Sequence, residues 1–124
     1  MATKNFAGFG HVNSVDVSSN TSLTLTAHSG ILVNVTASCT ITLPATVIGQ
    51  RFCIRIGAEG ITVNISPDAN DLIVGAGAAN AGAGADNKDV IFTEQPAGSY
   101  IELEAITTTG FTIVRSLGTF TFEG

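Results

Sequence analysis

The 124-residue chain contains no tryptophan, one tyrosine and only five basic residues. Scarcity of Trp and Tyr leaves few flat rings for stacking sugars. The basic residues, Lys4, Arg51, Arg55, Lys88 and Arg115, are scattered and form no stripe that would neutralise phosphates, which argues against nucleic acid as a partner. Charged residues of both signs make up 12% of the chain, where about a quarter is usual. Thr, Ser, Gly and Ala supply the surface instead. With a formal net charge of −5, copies of such a surface repel each other weakly, which raises the expectation of self-association or assembly. No apolar run is long enough to span a membrane, and the N-terminus lacks a secretory pattern, so synthesis in a host cytoplasm without processing is expected. Only two cysteines occur. Cys39 has the inward parity of Ile41 and Leu43, whereas Cys53 falls between Phe52 and Ile54 and points outward, so both are expected reduced and unpaired.

What is present is alternation. Ile31, Val33 and Val35, then Ile41 and Leu43, then Phe52, Ile54 and Ile56 are spaced two apart, the pattern of strands that bury one face. Strands are expected at Val15–Val17, Leu23–Thr26, Ile31–Thr36, Cys39–Leu43, Arg51–Ile56, Ile61–Ile65 and Leu72–Val74. Four more are expected at Asp89–Thr93, Tyr100–Ile106, Phe111–Arg115 and Thr119–Glu123. Turn residues separate them, and no window carries an amphipathic helix. The expected fold is therefore all-β and antiparallel, with a strand spacing that sandwiches, jelly rolls and barrels all produce. Residues 1–14 read as an irregular N-terminal arm. Residues 15–124 read as one sandwich domain with a Gly/Ala-rich loop at 75–87. The expected core is Leu23, Leu25, Ile31, Val33, Val35, Ile41, Leu43, Phe52, Ile54, Ile56, Ile61, Val63, Ile65, Leu72, Ile101, Leu103, Phe111, Ile113 and Phe120.

Candidate chemistry is thin. The segment LIVGAGAAN at 72–80 begins like a dinucleotide-binding turn. The third glycine position is Asn80, however, and no apolar helical stripe follows to present an N-terminus to a pyrophosphate. Asp68, Asn70, Asp71, Asp86, Asn87 and Asp89 supply oxygen, but their spacing matches no calcium loop and suits turns. His28 beside Ser29 is adjacency in a turn, not the geometry of a nucleophile and its base. Glu102 and Glu104 share a strand face, read as a solvated face or a subunit contact rather than a carboxylate pair for glycosidic chemistry. The expectation is a protein that is not an enzyme, with no catalytic, cofactor or metal site.

Several segments together carry a resemblance: LTLTAHSG at 23–30, ILVNV at 31–35, TITLPA at 40–45, GQRFCI at 49–54, ITVNISP at 61–67, DLI at 71–73, GSYIEL at 98–103 and GFTIV at 110–114. This series of strands and turns resembles small β-structured virion proteins of tailed bacteriophages, most closely capsid decoration (cement) proteins. The resemblance spans most of residues 18–116 and contains no invariant catalytic motif. The chain reads as a complete short protein beginning at Met1, without the long repetitive shaft of a fibre. The resemblance implies an antiparallel, jelly-roll-like β-sandwich that forms a homotrimer on the exterior of a phage capsid, bound to the major capsid protein and stabilising the assembled shell. The scattered basic residues and the lack of a spanning run point to no nucleic-acid or membrane partner. The alternative is a tail- or head-fibre tip, a receptor- or glycan-binding module. Phe6, Phe9 and His11 in the arm are the candidate capsid contacts. Arg51 and Arg55, against Glu102 and Glu104, are the candidate subunit contacts.

Overall fold

The computed structural model describes residues 3–6, 10–68, 71–75 and 88–123. These contain twelve strands and one helical turn. The first half comprises β1 (Thr3–Phe6), β2 (Gly10–Val17), β3 (Thr21–Ser22), α1 (Leu25–His28), β4 (Leu32–Val35), β5 (Cys39–Thr42), β6 (Arg51–Ile56) and β7 (Thr62–Ser66). The second half comprises β8 (Leu72–Gly75), β9 (Val90–Thr93), β10 (Tyr100–Thr107), β11 (Gly110–Leu117) and β12 (Thr121–Phe122). They form a seven-stranded sheet, β1-β2-β4-β6-β10-β11-β8, and a five-stranded sheet, β12-β9-β7-β5-β3. The inward residues of both sheets share one core, with Val33, Ile54, Phe52, Ile101 and Phe111 from the larger meeting Ile41, Val63, Ile65 and Phe92 from the smaller. The all-β class is thus what the alternation foretold.

Strand direction differs from expectation. From β2 to β7 the chain passes from one sheet to the other at every step, and β2, β4 and β6 run parallel, as do β3, β5 and β7. The first half is therefore a stack of three coils, and each coil contributes one strand to each sheet. Each turn takes roughly 20 residues, at the short end of solenoid repeats. Only the second half is built chiefly from antiparallel neighbours: β9 on β7, β10 on β6, β11 on β10 and β12 on β9, with β8 parallel to β11. The expected antiparallel, jelly-roll-like arrangement is corrected to a sandwich of two mixed sheets. The physical reason is that period-two alternation reports which face of a strand is buried and carries no information about the direction of its neighbour.

The coils are stitched at their corners. Asn20 Oδ1, in the first coil, accepts from the amide of Thr40 in the second at 2.8 Å. Ser38 Oγ, in the second, accepts from the amide of Thr62 in the third at 3.0 Å. At the opposite end Ser29 Oγ accepts from the Arg51 amide at 3.2 Å. Side chains in the turns thus satisfy amides that open the next coil's strands.

Four local expectations change. Leu23–Thr26 is not a strand: Thr24 caps the turn α1 by accepting from the Ala27 amide at 3.1 Å, and Leu25 is left 47% exposed. Ile73 rather than Leu72 faces the core, which also includes Val17, Val90, Phe92 and Ala105 beyond those expected. Ile31 is only half-buried and outside the core, and Ile61 and Phe120 are partly buried, packed against the core's margin. The segment 1–14 is not wholly irregular, because the backbones of β1 and β2 pair as a hairpin (Phe6 with Gly10, Asn5 with His11) at the edge of the larger sheet.

Candidate functional site

The outer face of the seven-stranded sheet gathers six ionic side chains, Asp16, Arg51, Arg55, Glu102, Glu104 and Arg115, and the strand registers line them up in rows. One row runs Asp16, Asn34, Arg55, Tyr100 and Leu117 across β2, β4, β6, β10 and β11. The next runs Ser14, Leu32, Cys53, Glu102 and Arg115. A third places Arg51, Glu104 and Thr112 side by side.

Within the first row the side chains form a ladder. Asn34 Nδ2 donates to Asp16 Oδ1 at 3.1 Å, and Arg55 Nη1 donates to Asn34 Oδ1 at 2.7 Å. The amide therefore relays between a carboxylate and a guanidinium that stand two strands apart. Parallel, in-register coils make this possible, because residues at equal positions in successive coils stack directly. Gly57 belongs to the same arrangement: a Cβ there would lie 2.6 to 2.9 Å from the Asn34 amide group.

In the other rows Arg51 Nη2 donates to Glu104 Oε1 at 3.2 Å, an ion pair between partly exposed side chains. Glu102, although on an outward-facing position, has a side chain only 5% exposed, and its Oε1 lies 3.0 Å from Arg115 Nε. That contact lies outside hydrogen-bond geometry, so the buried oxygen has charge compensation but no hydrogen-bond donor. Cys53 stands opposite Glu102 on the neighbouring strand. Burial, and secondarily the Glu102 carboxylate, push its thiol up to about 11, with Arg115 opposing. Burial also raises the pKa of Cys39, which packs at the core's edge in the other sheet. Both cysteines are free.

The sequence-derived candidates are therefore brought together in part. Arg51 and Arg55, expected to face Glu102 and Glu104 across a subunit contact, stand beside them on one face of the same chain. Their pairing is internal, however: Arg51 meets Glu104, Arg55 meets Asn34, and Glu102 meets Arg115, all within one chain. Phe6 and His11 lie in the hairpin strands β1 and β2, and Phe9 falls outside the described residues. Most of the Gly/Ala-rich loop, with Asn70, Asp86 and Asn87, also falls outside them. Asp71, by contrast, is buried and accepts from both the amide and the hydroxyl of Thr46, at 3.0 and 2.6 Å, so this carboxylate ties two turns together. His28 and Ser29 serve the backbone: His28 Nδ1 accepts from the Thr24 amide at 2.9 Å, and Ser29 Oγ bonds the Arg51 backbone.

No family model, curated protein or solved structure matches the chain. What can be said of its role rests on the residues themselves.

The feature that strand-by-strand reading missed is the coil repeat. Its signal was in the chain: VDVSSN at 15–20, VNVTAS at 33–38 and IRIGAE at 54–59 follow one template of apolar, polar, apolar, two small residues and a polar one. These three segments occupy equivalent places in the three coils. Laying them over one another would have aligned Asp16, Asn34 and Arg55 without coordinates.

Proposed function

We propose that this protein is a structural component of a bacteriophage virion, a decoration protein that binds the outside of an assembled capsid and stabilises it. The supporting observation is how the polar side chains of the larger sheet are used. Among the described residues, Asp16, Asn34, Arg55, Arg51, Glu104, Glu102 and Arg115 bridge neighbouring strands of one chain rather than converging on a common point. Such cross-strand links stiffen a scaffold and leave little to act on a substrate. The strand-and-turn resemblance to phage decoration proteins supports the same reading, with a homotrimer as the assembly form.

In this reading the N-terminal segment, with Phe6, Phe9 and His11, is the capsid contact. Several weak contacts held together gain affinity through effective concentration, so each needs to bury little. Binding to the assembled shell alone stabilises it by mass action. The test is cosedimentation of purified protein with mature capsids of candidate tailed phages, compared with a chain lacking residues 2–12. The deletion spares the pairing of β2 with β4, which runs over Ser14–Val17. The truncated protein should remain folded and stay in the supernatant while the full chain pellets. Equal pelleting of both would move the contact to another surface. Glycan-array binding with no capsid binding would instead assign the protein to a fibre tip.

A further inference from the structure

The two outer faces of the sandwich differ in kind. The five-stranded sheet turns Thr40, Thr42, Thr62, Asn64, Ser66 and Thr93 outward around a half-buried Ile91, an uncharged surface of mainly hydroxyl and amide groups. The seven-stranded sheet presents aliphatic side chains along β10 and β11. Ile106 is 56% exposed and Leu117 is 59% exposed. Val114, where the β10–β11 register slips by one residue, is 39% exposed. These are three of the six large apolar residues left exposed among the described residues. The others, Leu25, Val47 and Ile48, lie in α1 and in the β5–β6 turn, not on a sheet face.

Charge singles out the same face. The chain carries a formal net charge of −5, so two copies repel wherever acidic surfaces meet. Over β2, β4, β6, β10 and β11 the three carboxylates Asp16, Glu102 and Glu104 are matched by the three guanidiniums Arg51, Arg55 and Arg115. The matching is made inside one chain, so a partner laid on this face need bring no counter-charge of its own. A surface that is neutral and carries exposed aliphatic side chains suits another copy of this sparsely charged chain better than it suits a strongly charged partner.

We propose that the outer face of β6, β10 and β11 is the contact between copies of this chain, with Ile106, Val114 and Leu117 as its apolar anchors. The cross-chain pairing of arginines with glutamates that the sequence invited is replaced by aliphatic contact beside ion pairs already closed within each copy. The inference does not depend on capsid binding, and the isolated protein tests it.

Sedimentation equilibrium of the full chain at tens to hundreds of micromolar should give a mass that is a multiple of 12.6 kDa. Leu117→Lys or Ile106→Lys should weaken association by roughly a hundredfold, because a symmetric contact repeats each substitution in every copy. The far-ultraviolet circular dichroism of these variants should be unchanged. Thr93→Lys, on the opposite sheet, should leave the mass as it was. If a lysine variant does not fold, Leu117→Thr reads the same dissociation with a residue that suits a strand. A monomeric wild-type chain across that concentration range overturns the proposal, as does an oligomer that survives both lysine substitutions or one that Thr93→Lys dissociates.

Discussion

The stacked-coil arrangement is tested most sharply at Asn34 and Gly57. Asn34 makes two hydrogen bonds, each to an ionised partner, Asp16 and Arg55. Bonds of that kind contribute about 1.5–3 kcal/mol when sheltered. Here Asp16 is exposed and Asn34 half-buried, so water recovers part of the loss, and Asn34→Ala should cost about 1–2 kcal/mol in all. Gly57→Ala attacks the same ladder from above. The new methyl would sit 2.6 Å from Asn34 Oδ1 and 2.7 Å from Nδ2, closer than any Cβ contact tolerates. It must push the amide aside and should also cost about 1–2 kcal/mol by breaking both bonds. The two substitutions together behave differently. Once residue 34 is alanine the space above it is open, and Gly57→Ala should then be neutral or stabilising by about 0.4–1 kcal/mol through its effect on the unfolded chain. Urea unfolding of the four proteins, with equal m-values, measures the coupling, which should be about 2 kcal/mol. If Gly57→Ala costs the same in both backgrounds, the ladder does not hold the coils in the register described.

Other perturbations read other parts of the molecule. Phe111 is fully buried and meets Phe52 edge-on at 5.7 Å between ring centres, so Phe111→Ala should cost about 3–5 kcal/mol in urea unfolding. A Cβ on Gly110 would overlap the Leu72 carbonyl; Gly110→Ala should release β8 from β11, seen as faster amide exchange at Ile73 to Gly75 while the coil strands keep their protection. Cys53 should resist alkylation by iodoacetamide at pH 8 in the folded protein and react once unfolded, because its thiolate is disfavoured by burial. The sign of the accompanying pH effect follows. A thiol whose pKa is higher folded than unfolded contributes stability that is present below pH 9.0 and lost as pH rises towards about 11. Unfolding midpoints should fall across that window, and Cys53→Ser should flatten the fall.

How much of this was legible beforehand can be judged residue by residue. The inward positions Val33, Val35, Ile41, Leu43, Phe52, Ile54, Ile56, Val63 and Ile65 were all readable, because a half-buried strand writes its burial into every second residue. The opposite parities of Cys39 and Cys53, the shared side of Arg51 and Arg55 on β6, and that of Glu102 and Glu104 on β10 follow from the same rule. Leu25 was misread because a Thr at the start of a helical turn and a Thr in a strand look alike until the Thr24 hydroxyl is seen capping the Ala27 amide.

The amino-acid sequence by itself therefore determined the class of fold, most of the core and which side chains of each strand point the same way. The tertiary structure alone decided their partners and the direction of the strands. Alternation is blind to direction, so parallel coils and antiparallel hairpins leave the same local pattern. Pairing across a face depends on register between strands tens of residues apart. That register set Arg51 against Glu104, placed Arg115 over a buried Glu102, and laid Asn34 between Asp16 and Arg55.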